Sequence, residues 1–371
     1  MTLEGDVRPP VIPEGARTLS VLPNGLTRER TQRAGVVRKT VDTQLPGGRK
    51  PEWLKVKASY GDNFTDVTKL MEGLELNTVC AQAACPNIYE CWELREATFL
   101  IGGEDCTRRC GFCQIKTGKP KGYDVDEPRR VAEAVEHLGL RFAVVTMVAR
   151  DDLDDGGAWL VAETIRQIRS RTPDVGIEVL PSDFGYGSDP AAGRLALEQV
   201  VAAEPDVFAF NLETTRRLFP VIRPAFDYDR GLEFLALARD RFPRTTAVKS
   251  NLIAGMGETD EEILACMRDL RAAGVDTLTI GQYLQPSAQH LRLERYVTPE
   301  TFATFRRYGE VELGFAHVEA GPMVRSSYHA GQQAIDAKAW QPSPGQPGGG
   351  VETSGADVAT SGADVATSSA G

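Results

Sequence analysis

The chain has 371 residues, of which 42% are hydrophobic and 25% charged, with a formal net charge of −10. That is apolar material for one large or two ordinary domains. The acidic balance argues against nucleic acid as a partner, because phosphate backbones are bound by basic footprints. No run of eighteen apolar residues is present, so no membrane partner or spanning helix is expected. The N-terminus lacks the basic-then-apolar order of a secretory leader, and Glu4, Asp6 and Glu14 are out of place in a transit peptide, so a cytoplasmic protein is expected.

In chain order, residues 1–48 are rich in Pro, Gly and Arg without sustained periodicity and read as an irregular arm. Short apolar runs at 98–102, 142–148, 177–180, 207–212, 247–253 and 277–283 read as strands. Amphipathic stretches at 131–138, 159–170, 192–202, 232–241 and 259–273 read as the helices between them, with Asp126 and Thr259 as candidate caps. Six strand–helix repeats imply an α/β fold, a parallel sheet with right-handed crossovers closing into a partial (β/α)6 TIM-like barrel. Chemistry in such folds gathers at the carboxyl ends of the strands. From 341 to 371 the chain is low in complexity: TSGADVA occurs at 353–359 and again at 360–366. Such a tail cannot bury enough apolar surface to offset its ordering entropy, so it is expected to be disordered.

Seven cysteines are present, at 80, 85, 91, 106, 110, 113 and 266. Six fall within a short stretch, which in a reducing compartment reads as metal binding rather than disulfides. Cys106, Cys110 and Cys113 are spaced C-x3-C-x2-C in a loop directly after the first expected strand. Three thiolates can hold three irons of a [4Fe–4S] cube and leave the fourth open, whereas zinc wants four ligands. This spacing, with Phe112 before the last cysteine, resembles the radical SAM superfamily, in which the open iron binds S-adenosylmethionine. Gly102-Gly103-Glu104 mimics a Gly-Gly-Glu motif of that superfamily but precedes the cysteines, and is read as a turn. Cys80, Cys85 and Cys91 form a second triplet, C-x4-C-x5-C, which needs a fourth ligand or an open iron. Cys266 sits at an apolar helix position and reads as a small buried hydrophobe. The four histidines have no ligand spacing and read as packing or surface residues.

Taken together, the two triplets, RKPEWLKVK at 49–57, ATFLIGGEDCTRRCGFC at 97–113, RDDLDDGGA at 150–158, NLETTRRL at 211–218, GMGETDEE at 255–262, TIGQYLQPS at 279–287 and RSSYHA at 325–330 resemble the lipoyl synthase family. The resemblance runs over roughly 49–331. It implies insertion of two sulfurs at C6 and C8 of an octanoyl group held as an amide on a lysine of a carrier protein. That carrier is a lipoyl domain of a 2-oxoacid dehydrogenase subunit or the glycine-cleavage H protein. It further implies two [4Fe–4S] clusters, S-adenosylmethionine as cosubstrate, an auxiliary cluster that supplies the sulfur, and a low-potential electron donor such as ferredoxin or flavodoxin. A serine of RSSY completes the auxiliary cluster in the family; its counterpart is Ser326 or Ser327, and Ser327, beside Tyr328, is chosen. An oxygen ligand is harder and more replaceable on iron than a thiolate. The alternatives are a radical SAM enzyme with another substrate and a non-catalytic iron–sulfur scaffold.

On this reading the chain divides into an arm (1–48), an auxiliary-cluster segment (49–96), a barrel (97–320), a segment closing the auxiliary cluster (321–340) and a tail (341–371). Thr146, Glu178, Asn211, Glu213, Lys249 and Glu258 are candidate S-adenosylmethionine contacts. Glu258 ends a segment resembling the superfamily's G-x-I-x-G-x-x-E, with Asn251 at its first Gly and Ile253 and Gly255 in place. Arg49, Lys50, Lys55 and Lys57 flank the auxiliary triplet as a candidate docking patch.

Overall fold

The computed structural model describes residues 50–55 and 61–342. The 1–48 arm, Arg49, Lys57 and all but the first two residues of the 341–371 tail lie outside the described residues. Eight strands form one sheet in sequence order. They are β1 (Asn77–Thr78), β2 (Thr98–Ile101), β3 (Phe142–Met147), β4 (Gly176–Leu180), β5 (Val207–Ala209), β6 (Ala247–Ala254), β7 (Thr277–Gln282) and β8 (His317–Gly321). β1 runs antiparallel to β2, and every later neighbour pair is parallel. Among the described residues the sheet stays open between β1 and β8, so it is a partial barrel.

The expected six-stranded barrel is present as β2–β7, and the sheet is larger by β1 and β8. β8 escaped the sequence reading because His-Val-Glu-Ala-Gly has one β-branched residue and alternates half-buried with buried positions. The central strands were legible because both faces are covered: all six residues of β7 are buried. The run expected over 207–212 leaves the ladder after Ala209, and Glu213 turns the chain with φ +69°.

The helices begin where polar side chains can hold their free N–H groups. Thr259 and Glu262 form a capping box on the Asp260–Ala272 helix, and Asp227 accepts from Arg230 N on the Tyr228–Arg241 helix. Asp126 occupies the N-cap of the Glu127–Leu138 helix without capping it; its carboxylate pairs with Arg129, and Pro128 starts the helix instead. Inside, Phe208, Phe210 and Phe234 pack ring against ring at 5.3–6.1 Å. Each such fully buried ring is worth about 1.5–3 kcal/mol over its exposed state. Cys266 is 1% exposed within this core, as expected of a small hydrophobe.

Candidate active site

The turn after β2 carries Gly102 and Gly103 at φ +83° and +95°, the left-handed region glycine tolerates, and reverses the chain into the cysteine loop. The Arg150 guanidinium donates to Gly102 O at 2.8 Å, and Gly102 N–H donates to the Glu127 carboxylate at 2.8 Å. The loop is then fixed by backbone bonds from several elements. Cys106 N–H donates to Lys116 O (2.8 Å), Gly111 N–H to Ile222 O (2.8 Å), Leu291 N–H to Gly111 O (3.1 Å) and Thr107 N–H to Ala149 O (3.0 Å). Ala149 N–H reaches Cys106 Sγ at 3.3 Å, and His290 Nε2 lies 3.2 Å from Cys113 O. The three thiols therefore sit at the carboxyl end of β2, where the barrel was expected to hold them.

Burial pushes the Cys113 thiol up to about 12, and its neighbours Cys110 and Cys106 add to the rise. Burial raises Cys110 as well, against the pull of the Arg223 guanidinium. Such thiols stay neutral until a cation compensates the thiolate, so binding iron must release their protons.

Inside the barrel lie two groups of buried polar side chains. Lys249 Nζ pairs with Glu178 at 2.8 Å, both fully enclosed. Asn211 Nδ2 and Asn251 Nδ2 donate to the two oxygens of Glu213 at 3.0 and 2.7 Å, and Thr279 donates to Asn251 Oδ1 at 2.7 Å. The departure at Asn251 from the usual glycine thus has a local role: its amide holds Glu213. Burial raises the Glu213 carboxyl, opposed by Arg223 and the two amides. Arg223 donates to Asn211 O at 2.5 Å and stacks 3.8 Å over Phe226. Thr146 is spent on Leu180 O at 2.9 Å. Glu258 is spent on its own turn, accepting from Gly255 N–H at 2.6 Å and Met256 N–H at 2.9 Å. Asn211 Oδ1 is buried with no hydrogen-bond partner among the described residues, an acceptor left free for a donor.

The second triplet stands beside β2 on the other flank. Cys80 lies on the short Val79–Gln82 helix, Cys85 in the turn closed by its N–H to Cys80 O (3.0 Å), and Cys91 on the Ile88–Glu93 helix. Burial lifts the Cys80 thiol to about 11, with Cys85 adding to the rise and Thr98 and Trp92 opposing it. Cys91 is raised by burial and then by Cys80, so the three thiols share one environment. Thr98, which contacts Cys80, also donates to Ser327 Oγ at 2.8 Å. The RSSY loop is thus brought from the far end of the chain to the triplet. Arg325 lies in the field of Cys85, and Lys50 in that of Arg325, which lowers the Lys50 ammonium after burial does.

Among the described residues no three His, Cys, Asp or Glu side chains close on one point as ligands of a single ion. Cubane ligands each hold a different iron and stand farther apart, so three clustered thiols plus a hydroxyl fit such a cube. Sequence reasoning missed Arg223, Asn251 and His290. Arg223 and His290 lie outside the strands; the His290 contact to Cys113 O carries no ligand spacing that a sequence could reveal.

A thiol triplet after the first parallel strand, facing a polar mouth, defines a radical SAM enzyme, and residues 100–280 match the Radical SAM superfamily. The chain is 54% identical over 291 residues to a lipoyl synthase of Kineococcus radiotolerans, covering 78% of this chain and 84% of the relative. It is 54% identical over 301 residues to a lipoyl synthase of Mycobacterium avium, covering 80% and 95%. Among solved structures it is similar to a methylornithine synthase, with TM-score 0.47 and 14% identity over 81% of this chain and 89% of that one. The chain belongs to the lipoyl synthase family. With that membership come an iron–sulfur cluster, S-adenosylmethionine and sulfur insertion. Among the described residues no helix is long and apolar enough to cross a membrane.

Proposed function

We propose that the chain inserts sulfur at C6 and C8 of an octanoyl group carried as a lysine amide on a lipoyl-carrier protein, using two [4Fe–4S] clusters. The observation that carries this reading is the meeting of Thr98, Cys80 and Ser327, with 2.8 Å between the two hydroxyls. It supports a second cluster site beside the first, with Ser327 rather than Ser326 as its oxygen ligand. Cys106, Cys110 and Cys113 hold the cluster that works with S-adenosylmethionine. Cys80, Cys85, Cys91 and Ser327 hold the auxiliary one. When bound, these groups supply hydrogen-atom abstraction from unactivated carbon and the sulfur that replaces the hydrogen.

The protein's own work is positioning. Glu213, Asn211 and Arg223 line the mouth and orient the cosubstrate. A low-potential donor such as ferredoxin or flavodoxin delivers the electron in the cytoplasm, and Lys50 and Lys55, which precede the auxiliary triplet in the chain, form the described part of the carrier's docking patch.

The test is anaerobic: reconstituted protein, S-adenosylmethionine, a strong reductant and an octanoyl-lysine peptide, followed by mass spectrometry. The expected product gains two sulfurs with about two 5′-deoxyadenosines formed per peptide. Cys110→Ala abolishes 5′-deoxyadenosine formation, and Cys80→Ala retains it while no sulfur enters the peptide. Sulfur insertion by Cys80→Ala would remove the second triplet as the sulfur source. An unchanged peptide alongside 5′-deoxyadenosine would point to another substrate.

A further inference from the structure

The loop between β8 and the Ala330–Asp336 helix presents Ser327, and it belongs to no strand or helix ladder of its own. It is tied down at both ends onto the segment that carries Cys91. At its start Asn87, 3% exposed, donates to Met323 O at 2.7 Å. At its end His329 Nδ1 lies 3.3 Å from Glu96 Oε2, and the Tyr328 hydroxyl meets Glu90 at 3.4 Å. The Tyr328 and His329 rings lie 4.0 Å apart, and Tyr328 O accepts from Gln333 Nε2 at 2.5 Å. His329 has φ +48°, a left-handed conformation that a side chain with a β-carbon adopts at a cost. Such conformations persist where surrounding contacts over-determine them. In this conformation the His329 ring contacts Glu96.

We propose that Glu96 and His329 are positioning residues that hold the serine-bearing loop against the Cys91 helix, and so set how firmly Ser327 is presented to the auxiliary cluster. This rests on the two-cluster reading above. A hydroxyl is a weak iron ligand, and its hold depends on the entropy lost when its loop is ordered. A loop already fixed on both sides of the serine has little left to lose. Release of Glu96 removes the shorter of the two ties at this end, where the Tyr328 contact to Glu90 remains, and leaves the other end tied by Asn87, so the serine loosens while the three cysteines stay in place.

The experiment compares reconstituted full-length wild type with Glu96→Ala, His329→Gln and His329→Asn. It measures iron release to bathophenanthroline, S-adenosylmethionine cleavage without peptide, and thermal midpoint. Asn tolerates the left-handed backbone and puts its amide nitrogen where Nδ1 stands, whereas the Gln amide matches Nε2. Glu96→Ala and His329→Gln are expected to release part of their iron about two- to fivefold faster, the effect of losing one partly exposed ion-pair hydrogen bond. S-adenosylmethionine cleavage and thermal midpoint are unchanged, and His329→Asn keeps the wild-type rate. Equal release from all four proteins overturns the proposal. So does a loss of cleavage that parallels the iron loss, because the effect is then not local to the auxiliary cluster. Wild-type protein that takes up about four irons instead of about eight overturns the two-cluster reading itself.

Discussion

Lys249 and Glu178 face each other across 2.8 Å with 1% and 0% of their side chains exposed. Both have lost their hydration, so each is tolerable only because of the other. Lys249→Met leaves a buried carboxylate alone and is expected to cost about 3–5 kcal/mol, read as a lower urea midpoint. Adding Glu178→Gln recovers most of it; a double variant as unstable as the single one shows that the lysine matters for packing rather than charge. Glu127 is a carboxylate of the opposite kind, buried without a matching ion pair, and burial raises it from 4.5 to about 7 despite the Gly102 N–H it accepts. Its proton is bound more tightly in the folded chain. The contribution is therefore complete below pH 4.5 and is lost as pH rises through about 7. Across that window the wild type loses roughly 3 kcal/mol from this group. Glu127→Gln keeps the acceptor and removes the slope, so its advantage in urea midpoint grows from pH 5 to pH 8. A constant difference across that range refutes the account.

β7 passes close to the C-terminal loop at Gly281. A β-carbon at Gly281 stands 2.1 Å from Val324 O, a backbone atom that cannot swing aside. Gly281→Ala is expected to push that loop away, cost about 1–3 kcal/mol and weaken iron retention at the auxiliary triplet. Normal retention with the predicted destabilisation shows that the strand moves instead of the loop. At this scale the sequence was a good guide to what spacing and period encode. The cysteine loops follow from thiol counts and the Thr259 cap from its acidic first turn. β8 and the pairing of β7 with the loop were invisible, because both depend on neighbours that are remote in sequence. Glu258 reads as a cosubstrate contact from its motif, and the structure adds that each of its oxygens accepts a backbone N–H of the turn that the motif builds.

For the whole molecule, a parallel sheet was legible because buried strands betray themselves as apolar runs. The buried polar groups were legible only as residue types at strand ends. Which carboxylate finds which amide depends on register, and single apolar runs do not fix register. The same holds for Arg223, which enters the mouth from a segment between two helices and gains its meaning from Cys110 and Glu213.

Asn87 and Met323, joined by one hydrogen bond, are 236 residues apart in the chain. A ribosome adding roughly 5–20 residues per second needs about 10–50 s to go from one to the other. Through that interval the auxiliary cysteines are outside the ribosome with no serine to join them. Under the proposed ligand set, their site becomes whole only when β8, the last strand among the described residues, has been made and has added itself to the sheet. On the two-cluster proposal, completion of the sulfur-bearing centre therefore waits for the late synthesis of Ser327, and a chain released before it carries its thiols without the proposed oxygen ligand.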